Sequence, residues 1–212
     1  MQTTIKGTKV FIDKDRALYF EDFNSLVISD LHIGKSAHFR KNGLPIPNNV
    51  ANNDLQRLSN LIKKHQPKQL IVTGDMFHHS LNSNIEEFAN WRTLFSSIEI
   101  VLVKGNHDKL DSQIYSDLNL KVCDHSYCLG KFCFVHEASD LYSGDLYPIS
   151  GHIHPGISIK GKAKQRLKLP CFFFGNQFAV LPAFSEFTGL SIIKPLDTDR
   201  VFAITKSKIV EV

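Results

Sequence analysis

Five short apolar runs in this chain each end in residue types that bind metal ions. "SLVIS" (25–29) runs into Asp30-Leu31-His32, "QLIVT" (69–73) into Gly74-Asp75, and "IVLVK" (100–104) into Gly105-Asn106-His107-Asp108. "KFCFV" (131–135) runs into His136, and "LYPIS" (146–150) into Gly151-His152-Ile153-His154. Compact apolar runs bounded by turn residues read as buried strands. In open α/β sheets, ligands bind beyond the carboxyl ends of such strands. The chain must therefore adopt a fold that gathers five strand ends in one place.

The segments between the first three runs have helical periodicity. Residues 53–65 put Leu55, Leu58, Leu61 and Ile62 on one face, and residues 85–97 space Ile85, Phe88, Ala89, Trp91 and Phe95 as a helix does. The order β-α-β-α-β predicts right-handed crossovers and a largely parallel sheet, preceded by a hairpin of "KVFID" and "ALYFE". From "LKVCDHSYCL" (120–129) onward the runs are strand-like with short turns. They predict a second, largely antiparallel sheet packed on the first. The expected class is α/β, a two-sheet β-sandwich flanked by helices with mixed strands. No linker separates the halves, and 212 residues suit one domain.

Composition narrows the class. With 42% hydrophobic and 22% charged residues the chain reads as a soluble globular protein. The N-terminal "MQTTIKGTKVFID" has no long apolar stretch, so a cytoplasmic protein without a signal peptide or membrane span is expected. Cys123, Cys128, Cys133 and Cys171 form no C-x-x-C pair, which argues against zinc-finger and thioredoxin chemistry and for reduced, packed thiols. A net charge of +4 does not by itself indicate nucleic acid.

The strand-end residues suggest what they hold. Alternate residues of an extended D-x-H or H-x-H face one side, so Asp30 with His32, and His152 with His154, would converge. Glycine at three of the five strand ends would let the chain turn tightly. Four imidazoles, two carboxylates and one amide exceed one tetrahedral zinc site. They suit two borderline-to-hard divalent ions, manganese foremost, with iron, zinc, cobalt or nickel as alternatives. Two such ions sharing a carboxylate sit roughly 3.5–4 Å apart in hydrolytic centres.

The ordered set D-x-H, G-D, G-N-H-D, lone H, G-H-x-H over residues 25–154 resembles the calcineurin-like metallophosphoesterases. Any one piece could be a strand-end cap, but seven matches in order argue against that. The resemblance implies one ion on Asp30, His32 and His154, a second on Asn106, His136 and His152, and Asp75 bridging them. It implies a phosphodiesterase in which water activated between the ions attacks phosphorus. His107 would then protonate the leaving oxygen, with Asp108 supporting it. The stretches 30–47, 151–174 and 181–189 ("LPAFSEFTG") are similar to a bacterial branch, the ligase-associated DNA damage response metallophosphoesterases. That likeness implies a DNA substrate, endonuclease or end-processing action in repair, and functional association with a DNA ligase, a helicase and an exonuclease.

Outside the ligands, Lys160, Lys162, Lys164, Arg166 and Lys168 alternate with uncharged residues. On one β-strand they would line a single face able to track a phosphodiester backbone. Lys162, Lys164 and Arg166 are candidate substrate contacts on that basis. Arg40, in "GKSAHFRKNG", is another, whereas Lys35 and His38 read as surface residues. His78 is a candidate contact beside the site, while His79, His65 and His125 read as structural or incidental. Trp91 and "CFFF" (171–174) read as core. A hydrolase of small phosphoesters or cyclic nucleotides would use the same metals and differ only in substrate contacts. A metal-free binding module would be expected to lack ligands, and here all are present.

Overall fold

The structure, a computed structural model, describes residues 1–35, 50–78, 83–138, 145–160 and 165–212. Seven strands form the first sheet in sequence order: β1 (Gln2–Ile5), β2 (Thr8–Asp13), β3 (Ala17–Phe20), β4 (Ser25–Ile28), β5 (Gln69–Thr73), β6 (Glu99–Val103) and β7 (Leu120–Cys123). β1 to β4 form an antiparallel meander, and β4 to β7 are parallel. Parallel neighbours need crossovers. The described helices α1 (Val50–His65), α2 (Ser83–Leu94) and α3 (Ser112–Asp117) lie in those connections.

The remaining strands are β8 (Ser126–Leu129), β9 (Phe132–Val135), β10 (Tyr147–Ser150), β11 (Pro155–Lys160), β12 (Arg166–Phe174), β13 (Ala179–Val180), β14 (Ser191–Ile192), β15 (Arg200–Ile204) and β16 (Ile209–Glu211). They form a nine-stranded sheet in the order β14-β11-β12-β13-β10-β9-β8, with β15 on β12 and β16 on β15.

Side-chain alternation sorts the first sheet into two cores. Leu26, Ile28, Leu70, Val72, Ile100 and Leu102 face the helices and pack with Leu58 and Leu61 of α1 and Phe88 and Trp91 of α2. Val27, Ile71, Val101 and Val103 face the second sheet and pack with Phe132, Phe134, Ile149, Phe172, Phe174 and Phe202. Each fully buried Phe or Leu contributes roughly 1.5–3 kcal/mol. Trp91, Cys171, Phe172 and Phe174 are buried, as expected, while Phe173 is half-buried; Trp91 Nε1 donates to Ser59 Oγ at 2.8 Å. The α1 stripe ends where Gln66 turns left-handed (φ 47°), its N–H donating to Ile62 O at 2.8 Å.

Several boundaries differ from expectation. "LKVCDHSYCL" splits between the sheets: β7 closes the parallel edge of the first, and only β8 begins the second. β1 and α3 were not anticipated, since four- to six-residue elements carry too little periodicity to register. The second sheet is mixed: β10 lies parallel to both β9 and β13. Its outer face carries no helix among the described residues, since all three described helices lie in connections of the first sheet. The sequence-based expectation of packed thiols holds for Cys133 and Cys171 but not for exposed Cys128; all four are free. No described helix is long and apolar enough to cross a membrane.

Candidate metal centre

Asp30, Asp75 and Asn106 follow the carboxyl ends of the parallel strands β4, β5 and β6 by two or three residues, and His136 and His152 follow those of the parallel strands β9 and β10 by one or two. Two sheets thus present their carboxyl ends to the same edge of the sandwich. The ligand atoms of Asp30, His32 and His154 lie within 4.8 Å of one another, as do those of Asp75, His136 and His152. In the first group His154 Nε2 is 3.4 Å from both His32 Nε2 and Asp30 Oδ1. In the second, His136 Nε2 is 2.9 Å from His152 Nδ1, 2.9 Å from Asn106 Oδ1 and 3.7 Å from Asp75 Oδ1.

The donor chemistry fits divalent cations. Asp30 and Asp75 are 0% and 2% exposed, and a buried carboxylate demands a nearby positive charge. Ring nitrogens converge on one another and on carboxylate oxygens, the arrangement that a central cation satisfies. Burial, and next the charge of Lys35, push His32 down to about 2, so it stays a neutral ligand.

The convergence is not reached as expected. Asp30, His32, Asp75, His152 and His154 all adopt left-handed φ, between 49° and 68°, in place of extended backbone. Such a residue costs of order 1–3 kcal/mol and persists only where its surroundings hold it. Here backbone hydrogen bonds do so. Asp30 N donates to Gly74 O at 3.1 Å, His32 N to Asp75 O at 2.9 Å, and Ile33 N to Met76 O at 2.9 Å, zipping the first two ligand loops together. His152 N donates to Asp30 Oδ2 at 3.1 Å, tying the fifth loop to the first.

The glycines also do a different job. Gly74 alone of the three has a left-handed φ (86°). At Gly105 a Cβ would lie 2.5 Å from Asp75 N and 2.8 Å from His136 Cε1. At Gly151 it would lie 2.5 Å from Asp30 Oδ2 and 2.7 Å from Ser29 Cβ, with Ser29 Oγ nearer still. Side chains of the two groups and of Ser29 occupy the space of a Cβ at these positions, and at Gly74 as well, where it would collide with His136 Nδ1.

His107 sits beside the two groups, half-buried. Its backbone N–H donates to Asp75 Oδ1 at 2.9 Å. Its ring stacks on His78 with centroids 4.8 Å apart and meets His32 edge-on at 5.6 Å. Asp108 accepts from the backbone N–H of Phe77 (2.8 Å), Met76 (3.3 Å) and Gly105 (2.9 Å), so it clamps the Asp75 loop to the Asn106 loop. Burial raises Asp108 to about 6 even against those bonds.

Sequence reasoning missed a further support. Phe184 N donates to Ser29 O at 2.7 Å and Ser185 N to Asp30 O at 3.1 Å, so "LPAFSEF" braces the first ligand loop. Arg16 grips that brace through Ala183 O and Ser185 O, and Arg57 through Phe184 O, its guanidinium also on Asp54. No local pattern marks Arg16 or Phe184, whose partners here lie more than 100 positions away; only the Arg57–Asp54 pair is local, three positions apart. Lys35, read as a surface residue, is half-buried, and burial lowers its pKa against the pull of Asp30 and Asp75.

Of the expected substrate contacts, His78 is in the site, whereas Arg40, Lys162 and Lys164 lie outside the described residues, as do His38 and His79. The 160–168 stretch is not one strand. Lys160 ends β11 and stands opposite Arg166, which begins β12. Alternation along the sequence could not register the antiparallel pairing of the two strands.

A family model described as calcineurin-like phosphoesterase matches residues 23–199. Among solved structures, the Pseudomonas putida nuclease MPE aligns with a TM-score of 0.83 and 29% identity over 96% of each chain. Yfce, a phosphoesterase from E. coli, aligns with a TM-score of 0.48 and 11% identity over 89% of this chain and 97% of its own. A search of curated protein sequences gives no match.

Proposed function

The chain belongs to the calcineurin-like phosphoesterase family and is a metal-dependent phosphoesterase, and we propose that it is a two-metal phosphodiesterase that cuts DNA, as an endonuclease or end-processing enzyme in repair. The observation that carries the substrate is the likeness, over nearly the whole chain, to the P. putida nuclease. The resemblance of residues 30–47, 151–174 and 181–189 to a DNA-repair branch points the same way, and extends to functional association with a ligase, a helicase and an exonuclease. The chain is one domain and acts in the cytoplasm.

Asp30, His32 and His154 would hold one divalent ion and Asn106, His136 and His152 the other, with Asp75 shared. Bound there, two ions, manganese foremost, supply an activated water and neutralise phosphate oxygens. The chain's own residues do the rest. Asn106 brings a neutral oxygen, which limits negative charge where a phosphate must approach. His107 gives its proton to the leaving oxygen as the P–O bond breaks. Its backbone bond to Asp75 and its stacking on His78 fix that ring beside the ligands. Asp108 positions His107 by clamping the loops on either side.

A metal-dependent activity screen over plasmid DNA, oligonucleotides, cyclic nucleotides and monoesters tests the proposal. Manganese-dependent scission of DNA is expected. Turnover of cyclic nucleotides or small esters with no scission of DNA would overturn the substrate and favour the small-phosphoester reading.

A further inference from the structure

The β11–β12 hairpin begins at the metal centre and leaves the sandwich. Pro155 directly follows His154, and only Pro155 and Gly156 of β11 pair with β14. Only Cys171–Phe174 of β12 pair with β15 or β13. Among the described residues, 157–160 and 166–169 pair with nothing but each other, Pro170 pairs only with Gly156, and none of residues 157–160 and 166–170 is buried. Leu167 is 57% exposed. A two-stranded ribbon with no third strand on either edge is marginally stable by itself, and here Ile157, Ser158, Ile159, Leu169 and Pro170 are half-buried while Lys160, Arg166, Leu167 and Lys168 are exposed.

Its direction and faces are set by the sheet. β12 runs antiparallel to β13, which is parallel to β10, so the Arg166 end of β12 points the same way as the strand ends carrying His136 and His152. Phe172 and Phe174 are buried against the first sheet. Arg166 and Lys168 continue that face by alternation, and the register places Lys160 opposite Arg166 and Ser158 opposite Lys168. Ile157, Ile159, Leu167 and Leu169 take the other face. The polar face is therefore turned toward the side on which Asp30, Asp75 and Asn106 leave the first sheet. Residues 156–170 hold five cations and no carboxylate.

We infer that this ribbon is a phosphate-tracking arm, whose Lys160, Arg166, Lys168 and Ser158 hold the nucleic-acid backbone on one side of the scissile phosphate. The inference rests on the nuclease reading above and adds to it where the strand lies. Six residues from His154 to Lys160 at about 3.3 Å each span roughly 20 Å. That is about six nucleotides of duplex at 3.4 Å per phosphate on each strand. Contacts of this kind position the polymer without reading sequence.

The test is the metal-loaded Arg166→Gln/Lys168→Gln protein, compared with the unsubstituted protein on a single-stranded oligonucleotide and on bis-p-nitrophenyl phosphate. Each lost phosphate contact shallows the log–log salt slope by about 0.7 on a single strand, and by about 0.9 on duplex. The slope of kcat/KM for the single strand should therefore fall by about 1.4, which is about 25-fold in kcat/KM at 0.1 M salt. Turnover of the small diester should stay within twofold, which also shows that the variant is folded. Equal salt slopes for the two proteins would overturn the arm while leaving the nuclease reading intact. If the unsubstituted protein hydrolyses the small diester but cuts no nucleic acid, the nuclease reading fails and the arm with it.

Discussion

Replacing Gly151 with alanine adds one methyl group at the most crowded point of the ligand loops. Gly151 has no left-handed φ, so alanine meets no backbone penalty there and the effect is purely steric. The new Cβ would lie 2.5 Å from Asp30 Oδ2 and 2.7 Å from Ser29 Cβ, and still closer to Ser29 Oγ. Ser29 is fully buried and its hydroxyl donates to Asp30. Overpacking of this kind costs about 1–3 kcal/mol. Disturbing a hydrogen bond to a charged group adds about 1.5–3 kcal/mol. A total of about 2.5–6 kcal/mol corresponds to a fall in Tm of about 5–24 °C for a chain of this size. The assay is thermal unfolding in chelator, followed by a metal titration. Gly151→Ala should unfold earlier and hold metal more weakly, because Asp30 is displaced. Adding Ser29→Gly, which removes the collisions with Ser29 Oγ and Cβ but not that with Asp30 Oδ2, should recover part of the stability loss. A Gly151→Ala protein with unchanged Tm and metal affinity would refute the steric account.

Three other outcomes are expected. His107→Asn should slow diesters with poor leaving groups far more than those with good ones, and an equal loss on both would remove the general-acid role. Stripping metal with chelator should abolish phosphodiester hydrolysis and lower Tm, and manganese should restore both with two ions per chain by elemental analysis; one ion per chain would contradict the shared-Asp75 arrangement. Burial alone would raise the Asp13 pKa, but the Lys64 ammonium, Asp15 N–H and His65 outweigh it and hold it below 3.8. Its stabilisation is therefore complete above pH ~4 and lost as pH falls through the lower folded value. Asp13→Asn should lower Tm by a few degrees at pH 7 and by progressively less on acidification, and a pH-independent loss would contradict the linkage.

What the sequence made legible followed from periodicity and from order along the chain. The apolar runs before Asp30, Asp75 and Asn106 are the central parallel strands, and the stripe of Leu55, Leu58, Leu61 and Ile62 is a helix face. The five strand ends do meet. What stayed hidden depends on contacts between distant residues. No local signal says that Asp30 and His152 turn left-handed, because that state is held by hydrogen bonds from other loops. None distinguishes a glycine required for both φ and space, as at Gly74, from one required for space alone, as at Gly151. The basic alternation from 160 to 168 looked like one strand because a hairpin with opposed cations preserves the same spacing in sequence.

Each candidate ligand group draws on both sheets, and this sets the order in which the proposed site can come into being. His32 and His154 are 122 residues apart, so the first group is incomplete until the GHIH segment has been synthesised and the second sheet has docked. His152 imposes the same condition on the second group. Contacts this distant in sequence form late in folding. A nascent chain carrying only the first sheet would hold Asp30, His32, Asp75 and Asn106 as scattered side chains without a reactive centre. Hydrolytic competence would thus arrive only with the finished fold, a safeguard against stray cleavage by unfinished copies.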